Sequence, residues 1–191
     1  MRIISLLGLV LLLVACGDDG DAVDPVDAPP DGPQGPPPQV GELYAELKGE
    51  WGCETTFPAG ALGPGAPEMG VSGHLQVADN DDLGGYWYRG IYATEPSETM
   101  PTFRVEFFMG YGELTGLAFL VGVDNIGGTS TGTSAGWKDD VLTYEGHGYS
   151  MGQAVKTRES MTKNGTAEVV HRLEVDAGDG YQPKVETVCK R

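Results

Sequence analysis

Three cysteines and three histidines carry most of the reactive side-chain chemistry in this chain of 191 residues. Cys16 ends a short apolar run, whereas Cys53 and Cys189 lie near the two ends of residues 40–191. A thiol can be acylated, paired, used as a nucleophile or bound to metal, and its surroundings decide which. His74, His147 and His171 fall in separate segments without the ligand spacing of a metal site. There is no Gly-x-Ser-x-Gly elbow and no glycine loop of the kind that cradles phosphate. The sequence therefore predicts no catalytic residue, no metal and no cofactor, and it favours a binding or structural role over an enzymatic one.

The segment before Cys16 explains that thiol. Met1-Arg2 supplies one positive charge, and Ile3 to Val14 is apolar apart from Ser5 and Gly8. A bilayer span needs about 20 such residues, so the run is too short to cross. A short, basic-flanked apolar run is the pattern of a secretory signal. It ends Leu13-Val14-Ala15-Cys16. This resembles the lipobox of bacterial lipoproteins, in which a branched apolar residue and two small ones precede an obligatory cysteine. The resemblance implies removal of residues 1–15 and a diacylglyceryl group on Cys16. It places the mature protein in the cell envelope, held by lipid at the outer membrane, on its periplasmic face or at the surface. An ordinary signal peptide with a chance cysteine is the alternative.

Residues 16–39 form the predicted tether. After Cys16 come seven prolines and six aspartates with no basic residue. Such a segment cannot bury enough apolar surface to offset its chain entropy. Proline stiffens it toward polyproline II, giving a reach of roughly 70 Å when extended. The whole chain has 28 acidic and 12 basic residues, a formal charge of −16. Leaving out Arg2 and the six tether aspartates gives a residual charge of about −11 on residues 40–191. A body this acidic repels nucleic acid, so the expected partners are a membrane through the lipid and a small molecule. Nothing in the sequence sets the oligomeric state.

With Cys16 assigned to lipid, Cys53 and Cys189 remain as a pair in a compartment that permits disulfides. A bridge is the first reading and two buried thiols the second. The elements that would position them are set by periodicity. Val40, Leu43, Tyr44 and Leu47 mark one stripe of a short helix, with Gly49 at its end. Ten runs rich in β-branched and aromatic residues come next, separated by turn residues. They cover 50–56, 70–77, 85–93, 102–109, 114–123, 129–137, 141–147, 154–162, 166–175 and 183–190. Nearly every connection is short enough for a hairpin; the Gly/Pro-rich 57–69 loop is the exception. The fold class predicted is all-β: a closed or nearly closed up-and-down antiparallel barrel of about eight to ten strands, with the helix at its closed end.

The helix leading into Gly49-Glu50-Trp51, and the later Leu142–Gly146 run, resemble the lipocalin-like (calycin) superfamily. The nearest likeness is to an uncharacterised family of lipocalin-like bacterial secreted proteins. The resemblance implies that Trp51 plugs the closed end and that a basic residue of the last strand packs over it. Register reaches the same contact separately. If Cys53 and Cys189 are opposed on antiparallel neighbours, Trp51 falls opposite Arg191 and Thr55 opposite Thr187. Arg191 then lies over the Trp51 indole, a cation–π contact of about 0.5–2 kcal/mol.

Alternation also predicts the lining. Phe103, Val105, Phe107 and Met109 share one face, and Phe103 and Phe107 are candidates for an apolar ligand wall. Ala167, Val169, His171, Leu173 and Val175 share another. A two-residue Asn164-Gly165 loop would place Lys156 and Arg158 on the His171 face; patterning favours a three-residue loop, Lys163-Asn164-Gly165, which would pair Val155 with Leu173, Thr157 with His171 and Glu159 with Val169. Thr157, Glu159 and His171 then meet inside as a polar cluster, which is either a ligand site or a satisfied interior patch. Some ten-stranded lipocalin-like barrels bind haem through a histidine near the C-terminal end, and His171 is roughly so placed. Cys53 departs from the glycine-rich opening of that group. Three functions remain in view: a barrel that binds a small apolar or amphipathic ligand, a structural or surface lipoprotein with a filled barrel, and a haem-binding or enzymatic barrel using His171. The first leads.

Overall fold

The computed structural model describes residues 35–96, 101–150 and 152–191. The predicted leader 1–15, the predicted lipidation site Cys16 and the predicted tether up to residue 34 lie outside the described residues.

The helical stripe folds as α1 (Pro38–Tyr44), continued by a 3-10 turn, Ala45–Leu47. Pro38 suits the first helical position, where no backbone N–H is needed. Val40, Tyr44 and Leu47 are buried and Leu43 packs beside them. Gly49, at φ +119°, turns the chain from the helix into the first strand.

Ten strands then close into an antiparallel barrel, the upper end of the predicted range. They are β1 (Gly49–Phe57), β2 (Met69–Asp79), β3 (Trp87–Thr94), β4 (Arg104–Gly112), β5 (Leu117–Asp124), β6 (Thr129–Ser134), β8 (Val141–Ser150), β9 (Gln153–Lys163), β10 (Glu168–Asp176) and β11 (Gln182–Lys190). A two-residue ribbon, β7 (Trp137–Lys138), pairs only with β8. Sequential neighbours pair throughout, β1 meets β11, and β6 meets β8 to complete the ring. Closure leaves no sheet edge unpaired in the ring.

The faces obey the pleat. On β1, Trp51, Cys53, Thr55 and Phe57 are buried, and the residues between them are exposed. The closed end is dry. Trp51, Tyr88, Met109, Leu120, Leu142 and Met161 pack there against Val40, Tyr44 and Leu47 of the helical plug. Two indoles hold the plug: Trp51 Nε1–H donates to Leu47 O at 2.9 Å, and Trp137 Nε1–H to Leu43 O at 2.8 Å. They satisfy carbonyls that the end of a short helix leaves without partners.

The structure differs from the sequence pattern at three places. The 129–137 run splits at Ser134, because Trp137 turns to the helix. The 114–123 run starts late, with Leu114 fully exposed in a turn. The β9–β10 hairpin is shifted by four: His171 pairs with Met161, Leu173 with Glu159 and Val175 with Thr157. The loop is Asn164–Ala167, not Lys163–Gly165. Its carbonyls serve the end of the chain, with Arg191 Nε–H donating to Thr166 O and the Arg191 backbone N–H to Ala167 O.

Candidate functional site

Cys53 and Cys189 are opposed on β1 and β11 and form a disulfide. Two residues on, the Arg191 guanidinium carbon lies 4.2 Å from the centre of the Trp51 ring. Arg191 also donates to Lys48 O at 2.8 Å and Glu46 O at 3.1 Å. This group of contacts seals the closed end.

Inside, above that floor, a polar belt crosses from wall to wall. On one side Tyr92 and Thr55 hydroxyls meet at 2.6 Å, and Thr55 meets Thr187 at 2.9 Å. Thr187 pairs in register with His171, whose Nε2 lies 3.3 Å from Glu159 Oε2. Glu159 pairs with Tyr144, whose hydroxyl is 2.9 Å from that of Tyr44. Tyr44 O–H donates to Gly110 O at 2.9 Å. A phenol has one proton to give, so Tyr144 is the donor to Tyr44. Burial pushes the Tyr44 phenol up to about 12, only partly relieved by the Tyr144 bond. Burial raises Tyr144 further, helped by Tyr44 and by the Glu159 carboxylate. Both phenols stay neutral at physiological pH.

Glu159 and His171 mark where the dry floor gives way to accessible space. Their side chains are 13% and 30% exposed. His171 shares its face with Val169 and Val175, both buried, and strands flank it on both sides. Its exposure is therefore to the barrel interior. Thr157 is on the same inward face but lies opposite Gly146 and Val175, one hairpin pair beyond Glu159. The predicted meeting of Thr157 with His171 does not occur, because the register slips by an even number. That slip keeps every side chain on its face and moves it along the barrel.

The walls above the belt carry both rings and glycines. The Phe107 ring covers Gly90, so that a Cβ there would collide with the ring, and a Cβ on Gly73 would meet Ala93 O at 2.7 Å and the Tyr92 hydroxyl at 2.9 Å. Gly122, Gly132, Gly146 and Gly148 also take inward positions. Phe107 packs on the upper edge of the core. Phe103 stands half-buried at the open rim just before β4, its backbone paired with the Thr94 hydroxyl at 2.9 Å.

Outside, a shallow groove crosses β2, β1 and β11 over Gly52. Its polar groups are engaged with each other, His74 with Glu95 at 3.3 Å and Ser72 with Glu54 at 3.0 Å. Among the described residues no cluster of three or more His, Cys, Asp or Glu side chains could hold a metal. Sequence alternation found Glu159, His171 and Phe107. It missed the Tyr44–Tyr144 pair and the Tyr92–Thr55–Thr187 chain, although the inward position of each tyrosine on its strand was a usable signal.

No protein-family model matches this chain, and no curated protein does either. Among solved structures, the crystal structure of Rv2717c from M. tuberculosis is similar in fold, with a TM-score of 0.59 and 14% identity over 80% of this chain and 96% of that one.

Proposed function

We propose that this protein is a lipid-anchored cell-envelope protein whose barrel, lipocalin-like in kind, holds one small amphipathic molecule, its polar end at the Glu159–His171 belt and its apolar part against Phe107 and the upper wall. The observation that carries the reading is the inward-facing exposure of His171 above a fully buried floor. A ligand site combines an apolar lining with a few convergent polar groups, and the belt and the rings supply both. Anchoring rests on the lipobox-like Leu13–Cys16 segment.

Native mass spectrometry of protein purified from its own cell envelope tests the lumen. A bound small molecule, lost in Leu173→Trp, is the expected result; wild-type protein that carries nothing and takes up no amphiphile refutes it. Palmitate labelling tests the anchor, and equal labelling of wild type and Cys16→Ala refutes that part.

A further inference from the structure

We infer that the lumen selects a cationic or neutral hydrogen-bond-donating head group, such as an amine, over a carboxylate. The inference rests on the lumen-binding reading and specifies its ligand class.

The argument is the inventory of charge on the inward face. Glu159 points inward from β9, between Thr157 and Met161. Asp124 points inward at the open rim of β5, where the backbone N–H groups of Ile126 and Gly128 hold its carboxylate. Against these, Arg89, Arg104, Lys156, Arg158, Arg172 and Lys190 occupy outward positions, and Lys184 is the extra residue where β11 slips against β10. Lys163 shares the inward parity of β9 but is used at the closed end, where it pairs with Glu46 at 2.6 Å and lies 4.4 Å from the Trp137 ring centre. The basic group beside Glu159 is the His171 imidazole.

An ionised carboxylate only accepts hydrogen bonds, and an imidazole beside it keeps one nitrogen for that contact. The belt is therefore rich in acceptors. A head group bringing N–H donors completes it, while an incoming carboxylate meets the Glu159 carboxylate beside an imidazole already engaged with it. Charges in a low-dielectric lumen are screened less than in water, so the discrimination is larger inside than at the acidic outer surface.

The experiment compares dodecylamine, dodecanol and dodecanoate below their micelle concentrations, by calorimetry on the folded barrel. The expected order is amine, then alcohol, then carboxylate, with the amine at least tenfold tighter than the carboxylate. Glu159→Gln should weaken the amine about tenfold and leave the alcohol within twofold. Leu173→Trp should abolish all three, which separates lumen binding from adsorption to the acidic exterior. Dodecanoate binding as tightly as the amine, or an amine preference unchanged in Glu159→Gln, overturns the inference while leaving the lumen reading intact. Failure of all three to bind, or binding that survives Leu173→Trp, overturns the lumen reading itself and the inference with it.

Discussion

The ring closes where β6 meets β8, and that seam makes a sharp prediction. A Cβ placed on Gly146 would lie 1.8 Å from Thr131 O and 2.7 Å from Gly132 Cα, all backbone atoms that cannot rotate away. Real Cβ contacts do not fall below 3.0 Å, so Gly146→Ala must separate the strands locally by about 1.2 Å. Adding that to a hydrogen bond of about 2.9 Å takes it beyond bonding distance. The seam contains five register pairs, Thr129 to Thr133 against Tyr149 to Glu145. Losing two to five of their bonds, at about 1 kcal/mol net each, destabilises the domain by about 2–5 kcal/mol. For a domain of this size that is roughly 4–20 °C in Tm. Gly132→Ala is the internal control, because its new methyl meets nothing nearer than Tyr144 Cβ at 3.1 Å and needs only a small shift. Circular dichroism melts give the Tm, and hydrogen exchange should show new opening on β6 and β8. An opened seam also exposes two strand edges, so the variant should aggregate faster. If Gly146→Ala melts within about 2 °C of wild type, half the smallest shift that the Tm scaling allows, the close approach at the seam is wrong and so is the reasoning from it.

Three more outcomes rest on other contacts. Reducing the Cys53–Cys189 bridge, which spans a sequence separation of 136, should remove about 5 kcal/mol on the loop-entropy model and lower the urea midpoint by roughly 2 M; a shift below about 0.5 M contradicts it. Because burial raises the folded Tyr44 phenol from 10.0 to about 12, its contribution is complete below pH 10 and disappears as pH rises toward 12, about 2–3 kcal/mol in all. Tyr44→Phe should therefore be less stable at pH 8 yet lose less between pH 10 and 12, read from urea titrations at each pH; parallel slopes would contradict the assignment. In Gly90→Ala the new methyl would lie 2.0 Å from Phe107 Cζ, which pushes the ring into the lumen. Amphiphile affinity should fall at least tenfold while stability changes by about 1–3 kcal/mol, as titration and melts together will show.

Much of the fold was legible because a closed up-and-down barrel leaves little freedom once strands and faces are marked. Alternation set which residues of β1, β4, β9 and β10 face inward. The two cysteines then fixed the β1–β11 register, and with it the place of Arg191 over Trp51. The β9–β10 register was not legible, because Thr166 and Ala167 have the composition of a strand start. Their carbonyls are recruited by Arg191 from the far end of the chain, a tertiary contact that no local pattern announces. For the same reason half of the polar belt went unread. Alternation gives the face of Tyr144, but only the docked helix supplies Tyr44 as its partner.

The bridge between β1 and β11 has a mechanical consequence. Tension applied between residue 35 and Arg191 would first draw out the helical plug and the start of β1. It would then arrive at Cys53 and pass straight through sulfur to Cys189, two residues from Arg191. The strands between those cysteines lie off the line of force. Such a pull can strip away the plug and the Trp51 contact, but it cannot lengthen the chain by unravelling the barrel.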